Sequence, residues 1–266
     1  MAAPHVVWSV LFILAPLAFV FYYAFTDKTG AFTLNNVKEL GSANYLDIFT
    51  RSLCFALAAT AICLLVAYPL AYAISRAKPR SQKICIMLTM LPMWMNFLIR
   101  TYSIMAILED TGFLNSLLGR IGLPPLHIIN TGGAVIFGMV YNYLPYMVLP
   151  IYTVLSKLDN RLLEASADLG CTPMQTFFKV VMPLSRSGVV SGVTMVFVPS
   201  VSTFYISQKL GGGKFQLIGD VIERQFQSAY NYNLGAAMSL VLMVLILLSL
   251  AVMNRYSDEG EGGLVA

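Results

Sequence analysis

The chain has 266 residues, of which 58% are hydrophobic and only 11% are charged, and its net charge is +4. Soluble domains carry about 25% charged residues, so this composition excludes a water-soluble globular protein and predicts one integral domain in a lipid bilayer. The basic excess does not call for nucleic acid, because basic residues on the cytoplasmic side of a membrane protein explain it. The four cysteines lack the spacing of a metal site or a disulfide framework.

Long apolar segments predict an all-α integral membrane protein with six transmembrane helices, since each segment reaches the ~20 residues that a spanning helix needs. In chain order the segments are residues 6–26, 52–75, 84–108, 132–155, 187–208 and 234–253. The first segment could also be a signal peptide, but no basic residue precedes it and its apolar run is too long, so we prefer a retained helix. Arg100 lies within the third segment and should face a polar interior or reach the external interface. We expect one membrane domain, residues 1–256, and a flexible tail, residues 257–266.

Basic residues in the short loops predict that both termini are cytoplasmic. The loop of residues 75–83 holds four basic residues and no acid. With the segment of residues 157–186 and the tail, this side has nine basic residues, against seven in the longer loops of the opposite side. Positive charge marks the cytoplasmic loops of membrane proteins, and an even number of helices leaves both chain ends on one side.

The 157–186 segment is a polar stretch between two predicted spanning helices. Asp159 or Asn160 can cap a short helix, Gly170 permits a left-handed backbone, and Pro173 suits the first turn of a second helix. The side chains that we expect to face inward after this restart are Met174, Phe177, Phe178 and Val181. Two interpretations remain open from the residues alone: a helix–glycine–helix surface that binds another protein, or a cytoplasmic loop with one amphipathic helix.

The spacing of Glu164, Ala165, Gly170 and Pro183 resembles the signature of ABC importer permeases, which is Glu-Ala-Ala, three residues, Gly, nine residues, and Ile-x-Leu-Pro. The mild departures from that signature are Ser166, Val180 and Met182. In that family this loop is a coupling helix that sits in a groove of the ATP-binding subunit. The residues that the resemblance places in contact with the ATPase subunit are Glu164, Ala165, Ser166, Asp168, Gly170 and Pro183.

Other segments of the chain resemble one particular group of ABC importer permeases. They are similar to segments of spermidine/putrescine permeases, and most similar to the first of their two permease subunits. These segments are residues 92–102, 157–159, 204–207, 210–212, 217–222, 225–226 and 235–237. This implies a type I ABC importer permease fold in a bacterial plasma membrane. The implied partners are a second homologous permease subunit, two copies of an ATP-binding subunit that holds ATP and Mg, and an extracellular or periplasmic solute-binding protein.

The chain has no nucleotide site of its own, because Gly213-Lys214 is followed by Phe215 and lacks the glycine spacing of a P-loop. We therefore expect a non-catalytic subunit without cofactors, driven by ATP hydrolysis in a partner chain. One alternative is an importer permease of the same type for another small solute. A less favoured alternative is a secondary transporter or channel with six helices, which would favour acids buried within those helices.

A path for a polyamine needs carboxylates or carbonyls for the ammonium groups and aromatic faces for cation–π contact. The candidates that could supply these groups are Trp94, Tyr102, Glu109, Asp110, Tyr141, Tyr205, Asp220 and Glu223. Aromatic belts at the membrane interface and solvated acids in external loops explain the same residues without a substrate, and both interpretations stay open.

Overall fold

The structure, a computed structural model, describes residues 3–261, and this part of the chain is helical apart from its connections and one isolated bridge between Thr26 and Phe32. The α-helices are α1 (Ala3–Ser9), α2 (Ala15–Ala24), α3 (Asn35–Glu39), α4 (Ala43–Arg76), α5 (Pro79–Trp94), α6 (Phe97–Leu108), α7 (Phe113–Arg120), α8 (Gly132–Leu155), α9 (Asn160–Asp168), α10 (Pro173–Thr176), α11 (Met182–Leu184), α12 (Arg186–Val201), α13 (Tyr205–Leu210), α14 (Ile218–Gln227) and α15 (Tyr232–Glu261). Two π-helical turns, Val10–Leu14 and Phe177–Val181, join α1 to α2 and α10 to α11.

Within residues 3–261, four helices are long and apolar enough to cross a membrane by themselves. Their bounds are His5–Ala24, Ala43–Arg76, Gly132–Leu155 and Tyr232–Met253. Two bent helix pairs raise the number to six if each pair is one span. The prediction of an all-α membrane fold is thus confirmed, and the six predicted segments correspond to these four helices and two bent pairs.

The third predicted helix, residues 84–108, is not continuous. The chain bends by 95° between Pro79–Trp94 and Phe97–Arg120. Met95 and Asn96 have extended backbones, and the Asn96 side chain accepts a hydrogen bond from the Leu98 amide at 2.8 Å. Asparagine is a favourable N-cap, so a new helix starts in the middle of an apolar stretch that by length alone predicted one span.

The fifth predicted helix, residues 187–208, also differs from the structure. Its helix α12 ends at Val201, and a separate helix begins at Tyr205. A second bend of 66° separates Pro173–Leu184 from Arg186–Val201. At the C-terminus, α15 continues to Glu261, so the first residues of the tail that we predicted as flexible are helical, and residues 262–266 lie outside the described range.

Helix α8 forms the centre of the fold and packs between α4 and α12. Small buried residues at every fourth position line the contacting face of α4, namely Ala59, Cys63, Ala67 and Ala71. On α12, a side chain at Gly188 would come within 2.9 Å of the Pro150 carbonyl, and one at Gly192 within 2.7 Å of the Met147 sulfur. Stripes of small residues at four-residue spacing let membrane helices approach closely, which explains the tight three-helix core.

The ends of α8 hold the two regions of functional interest. The 157–186 segment follows its C-terminal end at Leu155, while α13 packs near its N-terminal end, where the Asn130 amide donates to the Leu210 carbonyl at 2.9 Å. Leu210 and Ile206 leave no space for a side chain at Gly138. A helix of 24 residues is about 36 Å long, so one rigid element separates the two regions by roughly the thickness of a membrane.

Candidate functional site

The 157–186 segment forms two short helices joined by a sharp turn. Asp159 caps α9 by accepting a hydrogen bond from the Arg161 amide at 2.9 Å. Gly170 has φ +79°, and the Cys171 amide donates to the Ser166 carbonyl at 3.0 Å while the Gly170 amide donates to that of Ala167. This is a Schellman motif, which needs a left-handed residue at the position of Gly170. The predicted cap and the predicted role of the glycine are therefore both found.

The second helix of the segment begins as the sequence suggested. Thr172 accepts a hydrogen bond from the Gln175 amide, and the Gln175 side chain accepts one from the Thr172 amide at 2.9 Å. This reciprocal pair is a capping box, and Pro173 occupies the first turn of α10. Local sequence signals thus determine both ends of the turn between α9 and α10.

Ser166 differs from its neighbours in the signature because it is buried within the segment. Its hydroxyl donates to the Leu163 carbonyl at 2.8 Å and lies 2.9 Å from the Thr176 hydroxyl. The hydroxyl that distinguishes this residue from alanine therefore connects α9 to α10. Of the residues expected to contact an ATPase, Ser166 is the one that holds the segment together from inside.

The other signature residues lie on the surface of the segment. Exposed side chains or backbones are found at Glu164, Ala165, Asp168, Gly170 and Pro183. Gly170 has open space around it, since a Cβ atom added at this position would meet nothing within 4 Å. A partner could therefore approach the segment closely at this turn.

The expectation that four apolar residues face inward is right for two and wrong for two. Val181 is buried and Phe177 packs against the core, but Met174 and Phe178 are 66% and 54% exposed. Phe177 and Val181 share one side of the π-helical turn, so the neighbouring Phe178 points away from the core. Leu169 is also 84% exposed, so all three of these large apolar side chains lie on the surface of the segment.

The segment is attached to α4 through buried contacts. The Tyr68 and Ser185 hydroxyls lie 2.6 Å apart, and both residues are buried. The Phe177 ring makes edge contacts with the rings of Tyr68 and Tyr72 at centroid distances of 5.5 and 5.6 Å. Ser185 lies at the 66° bend, so a displacement of the segment would act on α4 at this point.

At the other end of α8, several predicted substrate-path residues come together around α13. The Tyr102 and Tyr205 rings are in edge contact at 6.0 Å. The Lys209 ammonium lies 5.3 Å from the Tyr102 centroid and 5.7 Å from that of Tyr205. Glu109 and Asp110 line a cavity of about 350 Å³ together with Lys209. Lys209 thus connects the aromatic pair to the cavity that the two carboxylates line, and aromatic faces and carboxylates are the groups that a path for an organic cation requires.

The second pair of predicted acids lies in a different and smaller cavity of about 130 Å³, lined by Asp220, Glu223 and Gln208. The Gln208 amide donates to Glu223 at 3.1 Å, and one oxygen of Asp220 accepts from the Leu217 amide at 2.8 Å. The second Asp220 oxygen is buried near the Ser207 and Gln208 side chains but makes no well-aligned hydrogen bond among the described residues. Burial raises the pKa of Asp220 to about 6; the Leu217 amide and the nearby Ser207 and Gln208 side chains lower this pKa, and the charge of Glu223 raises it.

Two predicted aromatic residues stand apart from these cavities. Trp94 is 81% exposed at the C-terminal end of α5, and Tyr141 is 40% exposed on α8. Neither makes a ring contact with another candidate within residues 3–261. Tyr141 lies near the middle of the 24-residue helix α8 and Trp94 lies at the 95° bend, so neither residue is at the end of a span, where an interfacial anchor would lie.

Arg100 does not reach the external interface. Its side chain is 5% exposed, and its guanidinium carbon lies 5.9 Å from the centroid of the Phe97 ring. Its Nε and Nη1 atoms have no hydrogen-bond partner in the described part of the chain. Arg100 is therefore buried, but the described residues give its Nε and Nη1 atoms none of the hydrogen bonds expected of a polar interior.

Sequence reasoning missed Lys209 and the Tyr68–Ser185 pair. Lys209 follows Tyr205 by four residues, and this spacing places two side chains on one helix face, so a signal was present. The Tyr68–Ser185 contact joins residues 117 positions apart, and no local pattern predicts such a pair.

Comparison with known proteins identifies the family of this chain. Residues 1–259 match the family model described as binding-protein-dependent transport system inner membrane component. The chain belongs to this family and is an integral inner-membrane permease of the ABC importer class, as its resemblance implied.

The most similar relatives include permease proteins of spermidine/putrescine transport systems. The PotB protein of Haemophilus influenzae is 38% identical over 256 residues, which cover 93% of this chain and 90% of the relative. The PotB protein of Escherichia coli is 37% identical over 258 residues, which cover 94% of each chain. The inner membrane ABC transporter permease protein YdcU of Escherichia coli is 33% identical over 253 residues, covering 88% of this chain and 80% of the relative.

Solved structures share the fold at low sequence identity. A bacterial ABC transporter for the import of alginate matches with a TM-score of 0.76 and 16% identity, covering 96% of this chain and 93% of that one. The MetNI methionine ABC transporter matches with a TM-score of 0.61 and 16% identity, covering 81% and 95%. The fold is therefore the type I ABC importer permease fold that the resemblance implied.

Proposed function

We propose that this chain forms half of the substrate path of an ATP-driven importer for polyamines such as spermidine and putrescine. The observation that carries the proposal is the identity of 37–38%, over more than nine-tenths of the chain, to permeases of spermidine/putrescine systems. The cavity lined by Glu109, Asp110 and Lys209 beside the Tyr102–Tyr205 pair supports it, because carboxylates and aromatic faces suit a flexible chain of ammonium groups.

In this proposal the 157–186 segment lies in the cytosol and binds the ATPase subunit, and both termini lie on that side. The exposed small residues Ala165 and Gly170 allow close approach, while Leu169, Met174 and Phe178 offer apolar surface. Glu164 and Asp168 at the edge can pair with basic groups of the partner. ATP and Mg are bound by the ATPase, and this subunit contributes no catalytic residue.

The complete importer has a second homologous permease subunit, two ATPase subunits and a periplasmic or extracellular binding protein that delivers the solute. Six spans provide one half of a path, and the binding-protein-dependent family is consistent with such an assembly. The binding protein selects the solute before this subunit contacts it.

The test is uptake by the complete complex reconstituted in proteoliposomes, with spermidine, putrescine and an unrelated solute in competition. We expect ATP-dependent uptake of labelled spermidine that both polyamines, but not the unrelated solute, reduce. If neither polyamine is taken up or competes, the polyamine assignment is wrong and an importer for another small solute remains.

The carboxylates of the two cavities provide a finer test. Asp110→Asn and Glu223→Gln should each lower polyamine uptake several-fold, since they remove a negative charge from a cavity wall. Glu39→Gln, in the exposed helix α3, is the matched control and should leave uptake unchanged. Unchanged uptake in the first two variants would remove these residues from the path.

A further inference from the structure

The Tyr102–Tyr205 pair already holds a cation in this structure. The ammonium of Lys209 lies 5.3 and 5.7 Å from the two ring centroids, within the ~6 Å at which a ring face attracts a cation. The two rings are in edge contact at 6.0 Å and the Phe97 ring adjoins Tyr205 at 6.2 Å. The Tyr102 and Tyr205 rings together form a site for one ammonium group, which we call the aromatic seat. The ammonium group of Lys209 occupies it.

Lys209 takes this position although carboxylates are near. Glu109 and Asp110 line the same cavity as Lys209, yet Asp110 is bound to His127 at 2.9 Å. No ion pair joins Lys209 to a carboxylate in the part of the chain that the structure describes. Asp110 is therefore paired with His127, and the Glu109 carboxylate of the same cavity is not paired with Lys209, which occupies the aromatic seat instead.

The chemical structure of the Lys209 side chain indicates which kind of ligand the aromatic seat can bind. A lysine side chain is four methylene groups that end in a primary ammonium, which is an n-butylammonium attached to the backbone. The aminobutyl end of putrescine and of spermidine has the same chemical form. A seat that accommodates Lys209 thus has the dimensions and charge preference for the end of such a molecule, and the carboxylates suit its next ammonium group.

We propose that the Tyr102–Tyr205 pair is a binding site for a primary alkylammonium group, and that Lys209 fills it as a tethered surrogate until the substrate displaces it. This inference rests on the proposed function, because it assigns the end of the polyamine to this seat. A tethered group competes at an effective concentration in the millimolar range, so displacement requires the high local concentration of solute that a docked binding protein provides. The lysine then keeps the seat closed to isolated small cations.

A simpler role for Lys209 is the attachment of α13 to α6 by cation–π contact, which contributes about 0.5–1 kcal/mol at an exposed site. The two roles differ in their response to substrate. A purely structural lysine stays on the rings when substrate arrives, whereas a surrogate leaves them.

The first test follows the reactivity of Lys209 in the wild-type complex. The reconstituted complex, arrested with vanadate, is treated with a membrane-impermeant amine-reactive ester, and each lysine is quantified by peptide mass spectrometry. We expect spermidine-loaded binding protein to raise the labelling of Lys209 several-fold over substrate-free binding protein. Labelling of Lys214, an exposed lysine of the following loop, should not change.

The second test uses n-butylammonium as a competitor of labelled spermidine uptake. Lys209→Met removes the lysine ammonium from the aromatic seat. The n-butylammonium concentration that halves spermidine uptake should therefore be several-fold lower in this variant than in wild type. Lys214→Met is the matched control and should behave as wild type. Any effect of the probe on the binding protein is the same in all three complexes and cancels in the comparison.

The outcomes separate this inference from the proposed function. If the wild-type complex takes up no polyamine, the proposed function and this inference both fail. If polyamine uptake is normal but Lys209 labelling does not rise with substrate, or if the Lys209→Met complex has the wild-type sensitivity to n-butylammonium, only the surrogate role of Lys209 is overturned.

Discussion

At the residue scale, single side chains and backbone angles determine the local geometry of both regions. Gly170 supplies the left-handed angle that ends α9, and Ser166 connects α9 to α10 through its hydroxyl. Asp220 caps α14 with one carboxylate oxygen while its second oxygen is buried without a well-aligned hydrogen bond among the described residues. Each of these residues therefore has a specific conformational or electrostatic role, and a substitution at its position can test that role.

Replacing Gly170 should weaken transport in an order set by the backbone angle. Its φ of +79° costs an ordinary residue about 1 kcal/mol, and a β-branched residue more, whereas asparagine adopts it more readily. We expect transport to fall in the order Gly, Asn, Ala, Val, with the amount of complex in the membrane unchanged. Equal transport by the alanine and asparagine variants would show that the angle is not the reason for this glycine.

The raised pKa of Asp220 predicts a pH dependence of stability. Burial raises this pKa from 3.8 to about 6, so the folded protein holds the proton more tightly than the unfolded chain. The contribution of Asp220 to stability therefore decreases as pH rises from about 4 to about 6 and stays constant above that. Asp220→Asn keeps the acceptor for the Leu217 amide, and its melting temperature relative to wild type should increase between pH 4.5 and 7.

The matched control for this experiment is Asp27→Asn. Hydrogen bonds from the Thr29 side chain and amide lower the pKa of Asp27, so this group remains ionised over the whole window. Its melting temperature relative to wild type should be constant from pH 4.5 to 7. A constant difference for Asp220→Asn as well would contradict the raised pKa.

At the element scale, helices and their breaks explain how the two regions are positioned. The core forms because α8 packs closely between the small-residue faces of α4 and α12. The 66° bend at Ser185 leads from the 157–186 segment into α12, and the Tyr68–Ser185 contact attaches this bend to α4. The segment is thus linked to two of the three core helices near one point.

Breaking the Tyr68–Ser185 contact should affect stability in a non-additive way. Ser185→Ala leaves the Tyr68 hydroxyl buried without its partner, which lowers the free energy of unfolding by about 1–3 kcal/mol. In Tyr68→Phe, the Ser185 hydroxyl still donates a hydrogen bond to the Met182 carbonyl at 3.1 Å. We expect the double variant to melt no lower than Ser185→Ala alone, and all three variants to import less polyamine per ATP hydrolysed. Additive losses in melting temperature would contradict a direct interaction.

The elements also show what sequence could and could not predict. Apolar length located the spanning regions, and local signals at Asp159, Gly170 and Pro173 located the turn of the 157–186 segment. The breaks near Asn96 and after Val201 were missed because an apolar stretch has the same length whether or not it bends. The position of Lys209 over two rings depends on packing between α6 and α13, which residue spacing alone does not determine.

At the scale of the whole molecule, one 24-residue helix connects the region that we propose contacts solute to the region that we propose binds the ATPase. The cavity lined by Glu109, Asp110 and Lys209 adjoins the N-terminal end of α8, and the 157–186 segment follows its C-terminal end. Tight packing leaves little freedom within the three-helix core, so we expect a force on the segment to displace the core as a body. This arrangement suits a subunit that converts ATP turnover elsewhere into opening and closing of a path.

The most direct test of this account is the number of spermidine molecules imported per ATP hydrolysed. It is measured in proteoliposomes for the wild-type complex and for Glu164→Ala, and Glu39→Gln is the control. We predict coupled, ATP-dependent spermidine uptake in the wild type and the control, and a several-fold lower ratio in Glu164→Ala with the membrane complex intact. A wild-type ratio in Glu164→Ala, with full ATP hydrolysis stimulated by loaded binding protein, would contradict the role of the 157–186 segment in coupling.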